Sequence, residues 1–284
     1  MEYSNICKKL YEASIQAGVV ALAMQKDITN EGKIVEQEEG EDADHLAMRQ
    51  AKTKVDVMVQ DMLLTALREY REELFLDVEE ESECLSWYSK EHKAHTLIMD
   101  PIDGTLEYLR QKDTYSICSA LISKGDLKVA VVYFPSRNIL YCYEPAMGAR
   151  FFDQAQLSSW DQGKAIANGG EGKKVVYKND RVDQDLVDIF TSAGYKVMDD
   201  RTCNCPEALI HCMNKEALCY LCDHRNIRDI LMGAILSKSE GGALLDSHGN
   251  EVEWPSHGRL PFGIFTRFPD EVKVILSAMQ KEEK

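Results

Sequence analysis

The 284-residue chain carries 33 basic and 48 acidic side chains, a net charge of -15, and is 44% hydrophobic but only 8% aromatic. That charge argues against a general nucleic-acid or anionic-membrane surface, and a phosphorylated substrate fits it only where bound cations invert the local field. The apolar runs are far too short to cross a bilayer, no secretion signal is visible in residues 1–10, and nine cysteines without a targeting segment predict reduced thiols in a cytoplasmic setting.

In chain order, Ile6, Leu10, Ala13, Ala17 and Val20 recur at helical spacing, which predicts an amphipathic helix over residues 3–26. The acidic run 36–44 reads as a solvated loop. Val55, Val59, Met62, Leu63, Ala66 and Tyr70 share one face of a second helix, 54–72. The acidic group around Glu79, Glu80, Glu81 and Glu83 follows Phe75 and Leu76. Residues 96–99 read as a buried strand that Pro101 stops, because proline has no N–H for a ladder. Gly104 allows a sharp turn, and 106–111 begin a helix.

Beyond that turn the pattern changes to strands at 116–122, 129–134 and 139–143, joined by turn residues at 124–126 and 135–138. That is an antiparallel meander, with 148–152 as a further strand. The polar stretch 153–173 divides an N-terminal α+β part, 1–155, from a C-terminal α/β part, 156–284. Its glycines, Gly169, Gly170 and Gly172, read as a flexible turn, since no Lys-Ser/Thr follows as a phosphate loop requires. The second part alternates: strand 174–177, helix 184–193, strand 195–198, helix 206–213, strand 217–222 and a long helix 227–239 ending at Gly241 and Gly242. Cys203, Cys205, Cys212, Cys219 and Cys222 are poorly spaced for structural zinc, and several fit as small core side chains.

The chemistry concentrates in Asp100-Pro101-Ile102-Asp103-Gly104-Thr105. Two carboxylates set at a strand end and beside a helix start repel each other unless a cation lies between them. Hard Mg2+ suits such oxygens, and a helix start suits a phosphate. The plainer alternative is an acidic turn with helix caps. Glu80 and Asp229, in separate contexts, bring the set to four carboxylates, enough for two or three cations.

The hexapeptide resembles the central motif of the inositol-monophosphatase-like superfamily of Mg2+-dependent, lithium-sensitive phosphatases. The likeness continues in order through Thr53-Lys54-Val55-Asp56, Glu80-Glu81-Ser82, Asp229 and Glu240-Gly241-Gly242. It implies a mixed α and β fold layered α-β-α-β-α and, commonly, a homodimer. It also implies that Glu80, Asp100, the Ile102 carbonyl, Asp103 and Asp229 hold two or three Mg2+ ions. Thr105, oriented by Asp56, and Glu80 would activate the water, and the Gly104 and Thr105 N–H groups would seat the phosphate. Asp103 and Asp229 also belong to the implied substrate pocket, as do Asn204 and Cys205, which replace the usual Gly-Ser pair.

Leu106-Glu107-Tyr108 is similar to the Lys-Glu-Phe of bisphosphate nucleotidases of the CysQ type, whereas inositol monophosphatases carry Thr-Asn-Phe. The implied substrate is therefore a small phosphorylated metabolite, first adenosine 3',5'-bisphosphate, with inositol monophosphate or a sugar phosphate as alternatives. A phosphatase-like binding protein without turnover is the remaining class. Arg201 and Arg228 are candidates for a second phosphate, or plain surface arginines. Because Glu79 stands where the family has glycine before its Glu-Glu-Ser, Glu79 or Glu81 competes with Glu80 as the metal ligand.

Overall fold

In the computed structural model, residues 1–35, 43–166, 174–255 and 257–279 are described. The chain begins with α1 (Tyr3–Met24), α2 (Ala43–Gln50) and α3 (Lys54–Ala66). The periodic face expected of α1 is buried at Ile6, Leu10, Ala13 and Ala17. A capping box starts α3: Thr53 accepts from the Val55 N–H, and Asp56 accepts from the Thr53 N–H. The helix ends earlier than its apolar face suggests, giving way to a 3-10 turn at Arg68–Tyr70.

A seven-stranded sheet follows, β1 (Leu74–Val78), β2 (His95–Asp103), then β3 (Ser116–Ser123) after the short α4 (Thr105–Leu109), β4 (Asp126–Phe134), β5 (Ile139–Glu144), β6 (Gly148–Asp153) and β7 (Lys164–Ala165). The strands lie in sequence order; β1 and β2 are parallel and every later pair antiparallel. The expected meander is present.

The rest of the chain supplies β8 (Val175–Lys178), α5 (Gln184–Ser192), β9 (Lys196–Asp199), α6 (Cys205–Met213), β10 (Cys219–Asn226), α7 (Leu231–Lys238), β11 (Ala243–Leu245), β12 (Arg259–Thr266) and α8 (Pro269–Met279). The second sheet has the order β11-β12-β10-β8-β9.

Strand alternation explains the layers. Leu97, Met99, Ile117, Leu121, Val129 and Val131 pack with the buried faces of α1 and α3. Their neighbours Ile98, Cys118, Ala120, Ala130 and Val132 face the opposite way, joining α6, α7 and one face of the second sheet through Tyr220, Cys222 and Phe265. Val176, Leu221 and Ile264 on the other face pack with Phe190 of α5 and Val272 and Leu276 of α8. The result is the expected α-β-α-β-α stack. A one-residue slip would exchange these faces, and each large apolar side chain is worth about 1.5–3 kcal/mol when buried.

Two local expectations are corrected. Pro101 does not end β2, which continues to Asp103. The β1 ladder stops at Val78 opposite Met99, so no strand on that side needs a proline N–H. On the other side Asp100 faces Cys118 and Asp103 faces Ser116, so Pro101 and Ile102 together oppose Ile117. This is a β-bulge. The predicted long helix at 227–239 is also divided: Ile227–Ile230 is a 3-10 turn, and α7 begins only at Leu231. Asp229 therefore belongs to a separate 3-10 turn that precedes α7.

Candidate active site

The β2 bulge orients the site. In a regular strand, residues three apart point to opposite faces; one extra residue restores them to the same face. Asp100 and Asp103 thus turn together into a cavity of about 480 Å³, which Glu79, Asp229, Gly104 and Thr105 also line. Asp100 Oδ1 and Asp103 Oδ2 are buried and, among the described residues, have no hydrogen-bond partner. Burial, followed by the charges of Glu79, Asp103 and Asp229, holds the Asp100 carboxyl well above the usual carboxylate range. Burial and then Asp229 do the same to Asp103, against the opposing pull of Arg225. Asp229 is also raised by burial, again with Arg225 opposing.

Such crowding suits a cation, and an all-oxygen donor set suits a hard one. Among the described residues, no three Asp, Glu, His or Cys side chains gather tightly enough to hold a metal ion alone. All nine cysteines, the five clustered ones included, are free thiols.

A pH prediction follows from these raised acids. Folded protein holds protons that the unfolded chain releases, so metal-free stability falls as pH rises from the ordinary carboxylate range through the raised pKa values. A Mg2+ ion bound among these carboxylates would replace those protons. Millimolar Mg2+ should raise Tm more at about pH 8 than at about pH 5.5, measured by scanning fluorimetry; equal gains at both pH values would speak against a cation among these carboxylates.

Beneath the cavity, Asp56 is fully buried and accepts from the Thr53 N–H at 2.9 Å and the Thr53 hydroxyl at 2.6 Å. Burial pushes its carboxyl up to about 6 despite those hydrogen bonds. Thr105 Oγ1 lies 3.1 Å from Asp56 Oδ1 and 2.9 Å from the Ile102 carbonyl, two acceptors for one proton. Gly104 precedes it with φ +92°, a left-handed conformation that glycine adopts readily.

Glu80 is placed differently from Glu79. Its carboxylate, 1% exposed, pairs with Lys33 at 2.6 Å and Lys52 at 2.7 Å, and its N–H donates to Gln60 Oε1 at 2.9 Å. Glu79 also meets Lys33 but lines the cavity beside Asp100. Glu81 lines a different surface groove, with Phe75 and Tyr88.

On the substrate side, Cys205 lines the cavity and its thiol donates to the Asp229 carbonyl at 3.4 Å. Asn204 stands behind it, accepting from Glu207 N at the start of α6 and donating to the Thr114 carbonyl at 2.8 Å. Arg228 lines the cavity, with Nε 3.8 Å from Asp77 Oδ1. Arg201 lies outside the lining, its Nε 2.9 Å from Asp199 Oδ1.

Sequence reasoning did not assign Lys33, Arg181, Arg225 and Arg259 to the lining. Arg225 escaped because β10 reads as ending at Cys222. The strand runs on to Asn226 because β12 pairs with its polar end, Arg225 opposite Leu260.

The family model described as "Inositol monophosphatase family" matches residues 4–281, and the chain belongs to that family. It is 22% identical over 205 residues to the 3'(2'),5'-bisphosphate nucleotidase CysQ of Escherichia coli strain K12, covering 71% of this chain and 78% of that protein. A 42% identical match to the putative Nus factor SuhB of Neisseria meningitidis spans 57 residues, 20% of this chain and only 22% of that protein's length. A crystal structure of an IMPase/NADP phosphatase complexed with Mg2+ and phosphate shares the fold, with a TM-score of 0.66 at 20% identity over 92% of this chain and 90% of that one.

Proposed function

We propose that this chain is a Mg2+-dependent phosphomonoesterase for a small phosphorylated metabolite, foremost a 3'(2'),5'-bisphosphate nucleotidase that converts adenosine 3',5'-bisphosphate to AMP and phosphate. One observation carries the hydrolytic reading: buried oxygens of Asp100 and Asp103, unpartnered among the described residues, share a cavity with Asp229 and Glu79. The nucleotide substrate draws support from the CysQ similarity and from the several arginines on the same cavity.

In this reading Asp100, Asp103, Asp229 and the Ile102 carbonyl hold two or three ions. Glu79 is better placed than Glu80 to complete the set, since Glu79 lines the cavity while both Lys33 and Lys52 hold the Glu80 carboxylate. Bound Mg2+ supplies a water of lowered pKa and neutralises the phosphoryl oxygens. With its proton directed to Asp56, the Thr105 oxygen is left as an acceptor that orients the attacking water. The Gly104 and Thr105 N–H groups seat the phosphate. Cys205 and Arg228 border the substrate, and Asn204 steadies that wall through α6 and Thr114. Arg201 would reach it only by leaving Asp199.

The same reading includes a division of the chain near residue 155, a homodimer and a cytoplasmic location, the last supported by nine free thiols. Among the described residues no helix is long and apolar enough to cross a membrane.

Initial rates on adenosine 3',5'-bisphosphate, inositol 1-phosphate and a sugar phosphate, with and without Mg2+, test it. The expected result is Mg2+-dependent release of phosphate, with kcat/KM for the bisphosphate at least about tenfold above the others. A preference for inositol phosphate or the sugar phosphate would reassign the substrate. No turnover anywhere, despite tight Mg2+ binding, would make the chain a binding protein.

A further inference from the structure

Four arginines line the cavity, all from the part of the chain that builds the second sheet: Arg181 beyond β8, Arg225 in β10, Arg228 in the following 3-10 turn and Arg259 at the start of β12. The carboxylates Asp100, Asp103 and Glu79 come from the first sheet and the loop after β1. The cavity's arginines thus come from one part of the chain and most of its carboxylates from the other, with Lys33 supplied by the first part and Asp180 and Asp229 by the arginine-bearing part.

Arg225 is built in more deeply than a rim arginine. Its side chain is 25% exposed, and its Nη2 lies 2.6 Å from Oδ2 of Asp200, which is 4% exposed. The fully buried Tyr220 donates its hydroxyl to that same oxygen at 2.7 Å. Asp200 is thus a fixed anchor, and it engages one end of a guanidinium that carries five donors. Arg225 Nε is buried and, among the described residues, has no hydrogen-bond acceptor. A desolvated donor left unpaired is a standing cost that an incoming anion removes.

A planar guanidinium fork matches the oxygens of a phosphate. We infer that Arg225, anchored by Asp200 and Tyr220, is the base of a second anion subsite, which selects small molecules carrying another phosphate besides the one to be hydrolysed. This rests on the phosphomonoesterase reading above and gives the second-phosphate role to Arg225 in place of Arg201. Arg259, whose Nη1 donates to the His224 carbonyl at 2.9 Å, borders the same subsite. The competing account is that Arg225 only balances Asp103 and Asp229, which its charge also reaches.

Two substrate pairs separate these accounts: adenosine 3',5'-bisphosphate against adenosine 3'-phosphate, and inositol 1,4-bisphosphate against inositol 1-phosphate. Wild-type protein should favour the doubly phosphorylated member of at least one pair. In R225Q the KM for that member should rise about ten- to hundredfold more than for its monophosphate partner, and R225K should fall between. Since R225Q leaves the buried Asp200 charge unpaired, the double variant R225Q/D200N serves as the folding-safe form and should show the same selectivity loss. A preference confined to the inositol pair supports the subsite and overturns the nucleotidase reading. Equal losses on both members of a pair, or no preference in wild type, overturn the subsite. Calorimetry in Mg2+ with adenosine 5'-phosphate against adenosine, and inositol 4-phosphate against inositol, asks the same question without turnover. Equal binding within both pairs overturns the proposal; a preference for the phosphorylated member that R225Q abolishes supports it.

Discussion

Replacing Asp103 with Asn should lower kcat in saturating Mg2+ by about a thousandfold or more, while the metal-free protein melts at the same temperature or higher. The two halves of this expectation have one cause. Asp103 Oδ2 is buried and, among the described residues, bonded to nothing, so it contributes little to the fold as it stands. Its charge adds to that of Asp229 in a crowded, desolvated place. An amide of the same shape removes that repulsion but withdraws a ligand charge where the proposed cation would be held. Loss of one such electrostatic contact costs several kcal/mol of transition-state stabilisation, and each ~1.4 kcal/mol is tenfold in rate. Steady-state rates across a Mg2+ titration, together with metal-free melting curves, check both halves. Near-normal turnover would count heavily against a metal site here.

Gly242→Ala should destabilise the protein by about 3 kcal/mol or more, well above what a glycine-to-alanine change costs at a tolerant position. An added Cβ at residue 242 would lie 1.9 Å from the Leu236 carbonyl oxygen and 2.9 Å from Ser239 Oγ. Neither can simply move aside. The Leu236 carbonyl already accepts from the Ser239 N–H at 3.0 Å and the Ser239 hydroxyl at 2.7 Å, closing the end of α7. The Gly242 N–H in turn donates to the Ser239 carbonyl at 2.8 Å. Urea unfolding measures the effect; a loss below about 1 kcal/mol would show that this helix end repacks without strain.

The sequence reading of α1, β3, β4, β5 and α6 rested on periodicity and turn residues, and those elements stand close to where they were expected. Their apolar spacing is local, and the layers follow from it. Elements at the sheet margins were harder to see. β1 buries one residue fully, Leu74, and owes its identity as a strand to its parallel partner β2. β11, β12 and α8 likewise went unread, since residues 243–279 offer only short or mixed patterns. Pro101 misled for a similar reason: a strand tolerates proline where no neighbour asks for its N–H, and that depends on where β1 ends.

For the site, the motif was legible and the placement of its parts was not. Asp100, Asp103, Gly104, Thr105, Cys205, Arg228 and Asp229 reach one cavity from segments more than a hundred residues apart. Glu80 was singled out by family likeness, yet Lys33 and Lys52 occupy its carboxylate while Glu79 faces the cavity. No spacing rule reveals that Lys33 meets both adjacent glutamates while Lys52 adds a second lysine at Glu80. Arg225 had no motif to mark it; its depth depends on Asp200, Tyr220 and the pairing of β10 with β12.

By itself, then, the sequence determined the layered class of the fold, the family and the hexapeptide that carries the acidic pair, because these depend on residue type and short-range spacing. The tertiary structure decided that a bulge turns Asp100 and Asp103 to the same side, that Glu79 and Glu80 part company, and that Arg225 enters the cavity. Each of those outcomes is set by strand pairing and charge contacts between remote segments. Such contacts exist only once the two sheets are packed, and so they leave no local pattern to read.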